Sequence, residues 1–216
     1  MQPLIIHRPL KKYILLQQVG EDRAGIDVAT GTKIVQRSKS GALPPGYESL
    51  YTRSGLKGHD GVDLWIVSGE EVYAATSGIV VVSQPAAENP VRGNNIELVS
   101  EDQRLFKARE AYAQVAAEFY AYSCYCHLKE CLVQAGDRVD AGQLIGYADN
   151  TGTSSGDHLH FELKAVTRES GAYKIAALNG YNGCTDPSDY IADLTEEELL
   201  SIYHRVQALE ESIAAG

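Results

Sequence analysis

The chain has 216 residues, with 29 acidic against 19 basic side chains and a formal net charge of −10. A nucleic-acid partner would require a basic face, so this charge balance argues against one. The sequence contains no apolar run of the roughly eighteen residues that a membrane-spanning helix needs. The length allows one domain with additions or two small domains.

Short strand-like runs separated by glycines follow one another along the chain. They are predicted at 12–18, 72–75, 78–83, 95–100, 119–128, 143–148 and 158–165. Many short strands with glycine-rich turns predict a mainly β protein with an antiparallel core. The stretch from Asp22 to Tyr51 is long and polar, and loops of that size are usually functional or mobile.

Two segments carry helical patterns. From Glu101 to Glu118, apolar residues recur three or four positions apart, which predicts an amphipathic helix inserted between two strands. Near the C-terminus, Thr195 to Glu198 forms a capping box, and apolar residues again recur every three or four positions behind it. The segment 193–216 is therefore predicted to be an amphipathic helix that folds back on the β core, self-associates or docks to a partner.

Two runs far apart in the chain supply imidazole and carboxylate groups at metal-ligand spacing. His59 and Asp63 lie on a glycine-flanked turn and the start of a predicted strand. His158 and His160 alternate with apolar residues, so both point to one face of a strand. Two histidines and one carboxylate leave the fourth position of a tetrahedral zinc free, which is typical of catalytic sites. The sequence thus predicts a catalytic zinc site.

A third run, Cys124 to Leu128, contains another candidate for this site. Strand alternation predicts that Tyr125 and His127 share one face, with Cys124 and Cys126 on the other. His127 is therefore expected to join the site, and the two cysteines are expected to pack in the core as small apolar residues.

These runs resemble the lysostaphin-type zinc endopeptidases, which cut the peptide part of peptidoglycan. The resemblance rests on four ordered motifs across residues 55–163, which are His-x-x-x-Asp at 59–63, Tyr-x-His-Leu at 125–128, Gly-Asp-x-Val-x-x-Gly-Gln-x-Ile-Gly at 136–146 and His-Leu-His-Phe-Glu at 158–162. Four motifs in order, with no residue missing, rarely arise by chance. The resemblance implies a compact antiparallel β-sheet of the duplicated hybrid motif type, with the site in a groove.

The resemblance also implies roles for individual residues. His59, Asp63 and His160 would be the Zn²⁺ ligands, and His127 and His158 would be the catalytic pair beside the metal. Zinc lowers the pKa of its bound water to about 7, and a neutral histidine can take the proton released on attack. Which of the two histidines acts as base is left open. Tyr125 is a candidate groove residue and Glu162 a candidate partner of a ligand imidazole.

Each assignment has a simpler alternative. A lone His-x-His pair is more often a surface pair than a metal site, and only the other motifs reverse that balance. Glu162 is alternatively a solvated strand residue and Tyr125 a packing residue. His7 and His204 fall outside every motif and are predicted to be surface residues.

The cysteines allow several arrangements. Cys131 and Cys184 could form a disulfide in an oxidising compartment. A second, cysteine-bound zinc is disfavoured because the paired Cys-x-x-Cys spacing is missing. Buried free thiols are the simplest interpretation.

The sequence predicts three parts, which are an N-terminal strand with a polar insertion at 1–50, a zinc metallopeptidase domain at 51–192 and the C-terminal helix at 193–216. The polar insertion is a candidate wall of the substrate groove. The first twelve residues have too short an apolar run for a signal peptide. We therefore expect an enzyme that acts at the bacterial cell wall and reaches it in a phage particle, as an endolysin or after processing.

Two other functions compete with hydrolysis of peptidoglycan stem or bridge peptides. A degenerate member of the same fold would bind the wall or assemble with a partner without cutting, but such members are expected to have lost ligands. The segment 136–146 also resembles the hairpin of lipoyl and biotinyl carrier domains. No modifiable lysine occupies the corresponding turn, and that function would leave the histidine runs unexplained.

Overall fold

The computed structural model describes residues 4–35, 43–106, 118–176 and 178–191. Strands dominate these ranges. They are, in chain order, β1 Ile14–Gln17, β2 Ala24–Asp27, β3 Lys33–Val35, β4 Tyr47–Ser49, β5 Val62–Trp65, β6 Glu71–Tyr73, β7 Gly78–Gln84, β8 Asn94–Leu105, β9 Glu118–Cys131, β10 Arg138–Val139, β11 Leu144–Ala148, β12 His158–Glu169 and β13 Ala172–Ile175. The helices among the described residues are one-turn α1 Leu50–Arg53 and a 3₁₀ turn at Pro187–Asp189.

The main sheet is antiparallel throughout its described pairings. Its strands lie in the order β1-β5-β12-β9-β8-β7-β10, β11 pairs with β6 and β9, and β13 pairs with β12. The prediction of a mainly β, antiparallel fold is confirmed. Each predicted strand overlaps an observed one, and the largest differences are that β8 and β12 extend beyond their predicted ends, to Leu105 and Glu169.

The core lies against one face of the sheet because apolar residues alternate along its central strands. In β12, Leu159, Phe161 and Leu163 are fully buried on this face, as the period of two predicts. Val62 and Leu64 of the neighbouring β5 bury their side chains beside them. The opposite face of the same two strands is therefore left for the polar residues that alternate with them.

The helix predicted over 101–118 is wrong at both ends. Residues 101–105 continue β8, and Glu118 begins β9, with Gln103 paired to Tyr120 and Leu105 to Glu118. Cross-strand hydrogen bonding thus overrides the helical spacing of the apolar residues. Residues 107–117 lie outside the described part of the chain.

The described residues of the polar stretch at 22–51 form a small sheet of their own. Strand β2 lies between β3 and β4, and α1 follows β4 directly. Ser49 caps α1, because its hydroxyl accepts hydrogen bonds from the backbone amides of Tyr51 (3.1 Å) and Thr52 (3.3 Å). This cap fixes the position of Tyr51, which lies beside the site described below.

The predicted C-terminal helix, 193–216, lies outside the described residues, and so does His204. Among the residues that the structure describes, no helix is long and apolar enough to cross a membrane. His7 is exposed, as predicted.

Candidate metal centre

Three side-chain atoms converge at the face of the sheet opposite the core. His59 Nε2 lies 3.0 Å from His160 Nδ1, and Asp63 Oδ1 lies 2.9 Å from His160 Nδ1 and 3.2 Å from His59 Nε2. Ligands about 2.0–2.1 Å from a tetrahedral zinc lie about 3.3 Å from one another. The spacing and the donor set, two imidazoles and a carboxylate, therefore fit a zinc ion.

Strand pairing assembles this triad. Asp63 of β5 is directly opposite His160 of β12, so both side chains stand on the same face. His59 lies on the turn that leads into β5. Gly61 in that turn leaves room for the ligand ring, because a Cβ at this position would lie 2.6 Å from His160 Cε1.

Hydrogen bonds to the remaining ring nitrogens orient both candidate ligand imidazoles. His59 Nδ1 donates to the carbonyl of Gln18 (3.3 Å), and His160 Nε2 donates to Glu162 Oε1 (3.4 Å). Each bond keeps a proton on the far nitrogen, so the near nitrogen is the one that faces a metal. The two candidate ligands thus present opposite nitrogens, Nε2 from His59 and Nδ1 from His160.

His127 and His158 lie together beside the triad, with ring centroids 4.7 Å apart. His158 Nε2 is 3.5 Å from Asp63 Oδ1. His127 Nδ1 donates to the carbonyl of Thr151 (2.7 Å), and His158 Nδ1 donates to the carbonyl of Gly156 (2.7 Å). Both histidines therefore keep Nε2 as a potential proton acceptor.

The electrostatics of the site set the protonation of His127 and Asp63. Burial and the neighbouring His158 lower the pKa of His127 to about 4, so its imidazole is neutral at physiological pH. Burial opposes ionisation of Asp63, but the charges and hydrogen bonds of His59 and His160 outweigh it and hold the pKa of Asp63 well below its usual range. The site therefore contains a neutral imidazole beside an ionised carboxylate.

The prediction of which sheet face each of residues 124–127 occupies is wrong. His127 has a left-handed backbone, with φ of +62°, which breaks the alternation and turns its side chain toward His158 and His160. Tyr125 is fully buried on the core face, where its hydroxyl accepts from the Ala75 amide (2.7 Å) and its ring packs on Phe161. Tyr125 is thus a core residue and does not line a groove.

Cys124 and Cys126 also differ from their prediction. Both are buried, but they pair with Glu162 and His160 across β9 and β12 and so share the face of the candidate site. All four cysteines are free thiols, and Cys131 and Cys184 form no disulfide. Cys124, Cys126 and Glu162 are close enough to hold a metal. However, an arginine guanidinium already contacts both Cys124 and Glu162, which disfavours a second cation there.

Glu162 is buried rather than solvated. Besides His160, its carboxylate contacts the guanidinium of Arg92 (3.0 Å) and the ammonium of Lys164 (2.6 Å). These neighbours outweigh the effect of burial and lower the pKa of Glu162. The Glu162 carboxylate thus lies next to the His160 imidazole, with two cations behind it that the sequence analysis missed.

Tyr51 and Gln17 are two further residues at the site that the sequence analysis missed. The Tyr51 ring lies 5.7 Å from the His59 ring, and Gln17, which pairs with Asp63 across β1 and β5, donates to the Tyr51 hydroxyl (2.8 Å). Burial and the charge of Asp63 raise the pKa of Tyr51, so its hydroxyl keeps its proton. No motif signals either residue, because the turn after β4 and the edge strand β1 bring them to the site.

Comparison with known proteins shows the family of the chain. A model of peptidase family M23 matches residues 57–172. The chain is 32% identical over 116 residues to the peptidoglycan DD-endopeptidase ShyA of Vibrio cholerae, covering 54% of this chain and 22% of that protein. It is 36% identical over 104 residues to the glycyl-glycine endopeptidase ALE-1 of Staphylococcus capitis, covering 48% of this chain and 24% of that protein.

A solved structure is similar over a comparable part of the chain. The catalytic domain of lysostaphin from Staphylococcus simulans is 27% identical, with a TM-score of 0.45, covering 62% of this chain and 79% of that one. The chain spans about a quarter of the length of the two curated relatives. Because the family model covers more than half of the chain, this protein belongs to peptidase family M23.

Proposed function

We propose that this protein is a zinc-dependent endopeptidase that hydrolyses peptide cross-links of bacterial peptidoglycan. The observation that carries this proposal is the convergence of a triad of two imidazoles and a carboxylate with two further histidines whose Nε2 atoms are potential proton acceptors. A purely structural metal site would need a fourth protein ligand and would have no use for proton acceptors beside it.

In this proposal, His59 Nε2, Asp63 Oδ1 and His160 Nδ1 hold the zinc ion. Bound there, zinc supplies a Lewis acid that polarises a carbonyl and lowers the pKa of water to about 7. The protein supplies the orientation of the three ligands, through the pairing of β5 with β12 and the hydrogen bonds from His59 Nδ1 and His160 Nε2.

His127 and His158 move the proton in this mechanism. A neutral Nε2 accepts the proton of the attacking water, and the imidazolium that results can return it to the departing amine. The carbonyls of Thr151 and Gly156 hold each Nδ1 proton in place during this exchange, so the same nitrogen takes up and gives back the proton.

The relatives support a cell-wall peptide as the substrate class. ShyA is named for a DD-endopeptidase activity and ALE-1 for a glycyl-glycine endopeptidase activity, and this chain resembles both. We therefore propose that the substrate is a stem or bridge peptide of peptidoglycan, reached at the cell wall. Delivery by a phage or as an endolysin stays a prediction.

The test is mass spectrometry of the fragments released from two purified peptidoglycans, one with glycine bridges and one with direct cross-links. The zinc-loaded protein is compared with a His160→Ala variant whose fold is verified by circular dichroism. Fragments with new termini from one wall type, absent with the variant, are expected and would identify the bond. If the zinc-loaded protein releases nothing from either wall, the non-cutting alternative replaces this proposal.

A further inference from the structure

A buried ionic cluster lies directly behind the ligand His160. Glu162 is only 2% exposed, and its two carboxylate oxygens share one partner and each have another. Oε1 meets His160 Nε2 at 3.4 Å and Nη2 of Arg92 at 3.0 Å, whereas Oε2 meets Lys164 Nζ at 2.6 Å and the same Arg92 nitrogen at 3.3 Å. Arg92 therefore bridges the two oxygens and lies nearer to the one that contacts the His160 imidazole.

Arg92 is held in place by a turn between β7 and β8. Its amide donates to Asn89 Oδ1 (3.1 Å), and its second guanidinium nitrogen contacts Glu97 Oε1 (2.7 Å) and Cys124 Sγ (2.9 Å). Its carbonyl accepts a hydrogen bond from the amide of His127 (2.8 Å), the residue with the left-handed backbone. Arg92 thus contacts both Glu162, which hydrogen-bonds to His160, and the backbone of His127.

The chemistry of the cluster explains why an arginine suits this position. An ionised carboxylate that is nearly inaccessible to water must be paired and hydrogen-bonded. The planar fork of a guanidinium can contact Glu162 with one nitrogen and Glu97 with the other, which fixes its direction as a lysine ammonium does not. Without Arg92, the strong contact to Lys164 would draw the carboxylate away from His160.

We propose that Arg92 is a positioning residue of the metal centre. Its guanidinium holds Glu162 Oε1 against His160 Nε2, which keeps the imidazole in the orientation that presents Nδ1 to zinc. This inference rests on the proposed function only in taking His160 as a zinc ligand. Groups that support a metal ligand in this way change metal affinity by about 10–100-fold when removed.

The test is the zinc dissociation constant, measured by chelator competition on the full chain. Arg92→Gln and Glu162→Gln should each weaken zinc binding by about 10–100-fold. The double variant should bind zinc no more weakly than the weaker-binding single variant, because both substitutions break the same contact between Glu162 and His160. Arg92→Lys keeps the charge without the fork and should give an intermediate value. Arg138→Gln, which removes an exposed arginine paired with Glu101 (2.5 Å), is the matched control and should bind as the unchanged protein does.

Two further measurements separate positioning from a loss of structure. Urea unfolding without metal identifies any variant that does not fold. If Arg92→Gln does not fold, the double variant keeps the test valid, because it replaces the ion pair with two neutral amides. In the zinc-loaded protein, hydrogen exchange of the His160 Nε2 proton, followed by NMR, should be faster in folded Arg92→Gln than in Arg138→Gln.

The outcomes are distinguishable. Folded Arg92 variants that bind zinc within about twofold of the unchanged protein would overturn the positioning role and leave the peptidase proposal intact. Additive losses in the double variant would also overturn it, since the two residues would then act independently. If the unchanged protein itself binds no zinc, both this inference and the proposed function fail.

Discussion

The tautomers of the four site histidines are set by the atoms that their outward ring nitrogens meet. Three of these histidines donate to main-chain carbonyls, whereas His160 donates to the side chain of Glu162. A main-chain partner survives any substitution of its residue, but a side-chain partner does not. His160 is therefore the histidine whose orientation depends most on the identity of its neighbours.

Gly61 provides a test of how tightly the ligand ring is packed. In Gly61→Ala, the added Cβ would lie 2.6 Å from His160 Cε1 and 2.9 Å from the Phe161 carbonyl oxygen, so the ring must move. We expect zinc affinity to fall by about 10–100-fold, measured by chelator competition. Gly156→Ala is the control, because a Cβ there meets open space. Unchanged affinity in Gly61→Ala would show that the ring is not confined.

At the residue scale, the sequence predicted which residues meet at the site better than it predicted the sheet face that each side chain occupies. The facing of His158 and His160 follows from local alternation, which needs no information from elsewhere in the chain. The facing of His127 does not, because its left-handed backbone is supported by hydrogen bonds to the Arg92 carbonyl and the Asp149 amide, which come from two other loops.

At the element scale, the pairing of β5 with β12 builds more than the metal triad. On the same face of the sheet, the next pair after Asp63 and His160 is Trp65 with His158. Trp65 is also paired with Ile14 of the edge strand β1. Trp65 and Ile14 are exposed, at 47% and 63%, although both are large and apolar. An apolar row therefore stands on the sheet face that carries His158.

This row predicts a contact for the substrate. We expect Trp65→Ala to raise KM for a cleaved wall peptide by about three- to tenfold, because an aromatic ring contributes contact area and stacking to a bound chain. The zinc affinity should stay unchanged, because Trp65 is paired with His158 and not with His59, Asp63 or His160. Steady-state kinetics check this, with Leu132→Ala as a control that removes an exposed side chain between β9 and β10. A loss confined to kcat would contradict a binding role.

The helix predicted over 101–118 shows how elements can be misassigned from spacing alone. Its apolar residues recur at helical intervals, but at the two described ends the chain pairs β8 with β9. Hydrogen bonding between long neighbouring strands satisfies more backbone groups than an isolated short helix would. That pairing is a tertiary contact, so local periodicity does not reveal it.

At the scale of the whole molecule, charge favours a cation at the site. The chain carries a net charge of −10, and such a field attracts divalent ions. Within the site, burial tends to lower the pKa of His160, but hydrogen bonds and charges from Asp63 and Glu162 outweigh it and raise that pKa well above its ordinary value. The imidazole therefore holds its proton through neutral pH in protein stripped of metal.

A proton should consequently leave when zinc binds. His160 must lose its Nδ1 proton to become a ligand, so we expect about one proton released per zinc at neutral pH. Zinc affinity should rise about tenfold per pH unit as pH increases, until pH exceeds the raised pKa of His160. Calorimetry in buffers of different ionisation enthalpy measures the proton count. A count of zero at neutral pH would show that the carboxylates do not hold this proton.

The sequence by itself determined the strand pattern, the mainly β fold and the identities of the triad and the two neighbouring histidines, because alternation and ordered motifs are local properties. The tertiary structure decided the rest, including the buried position of Tyr125, the left-handed His127 and the presence of Tyr51 and Arg92 at the site. Loops and strands distant in the chain make these contacts, and their partners are set by packing, which no local pattern encodes.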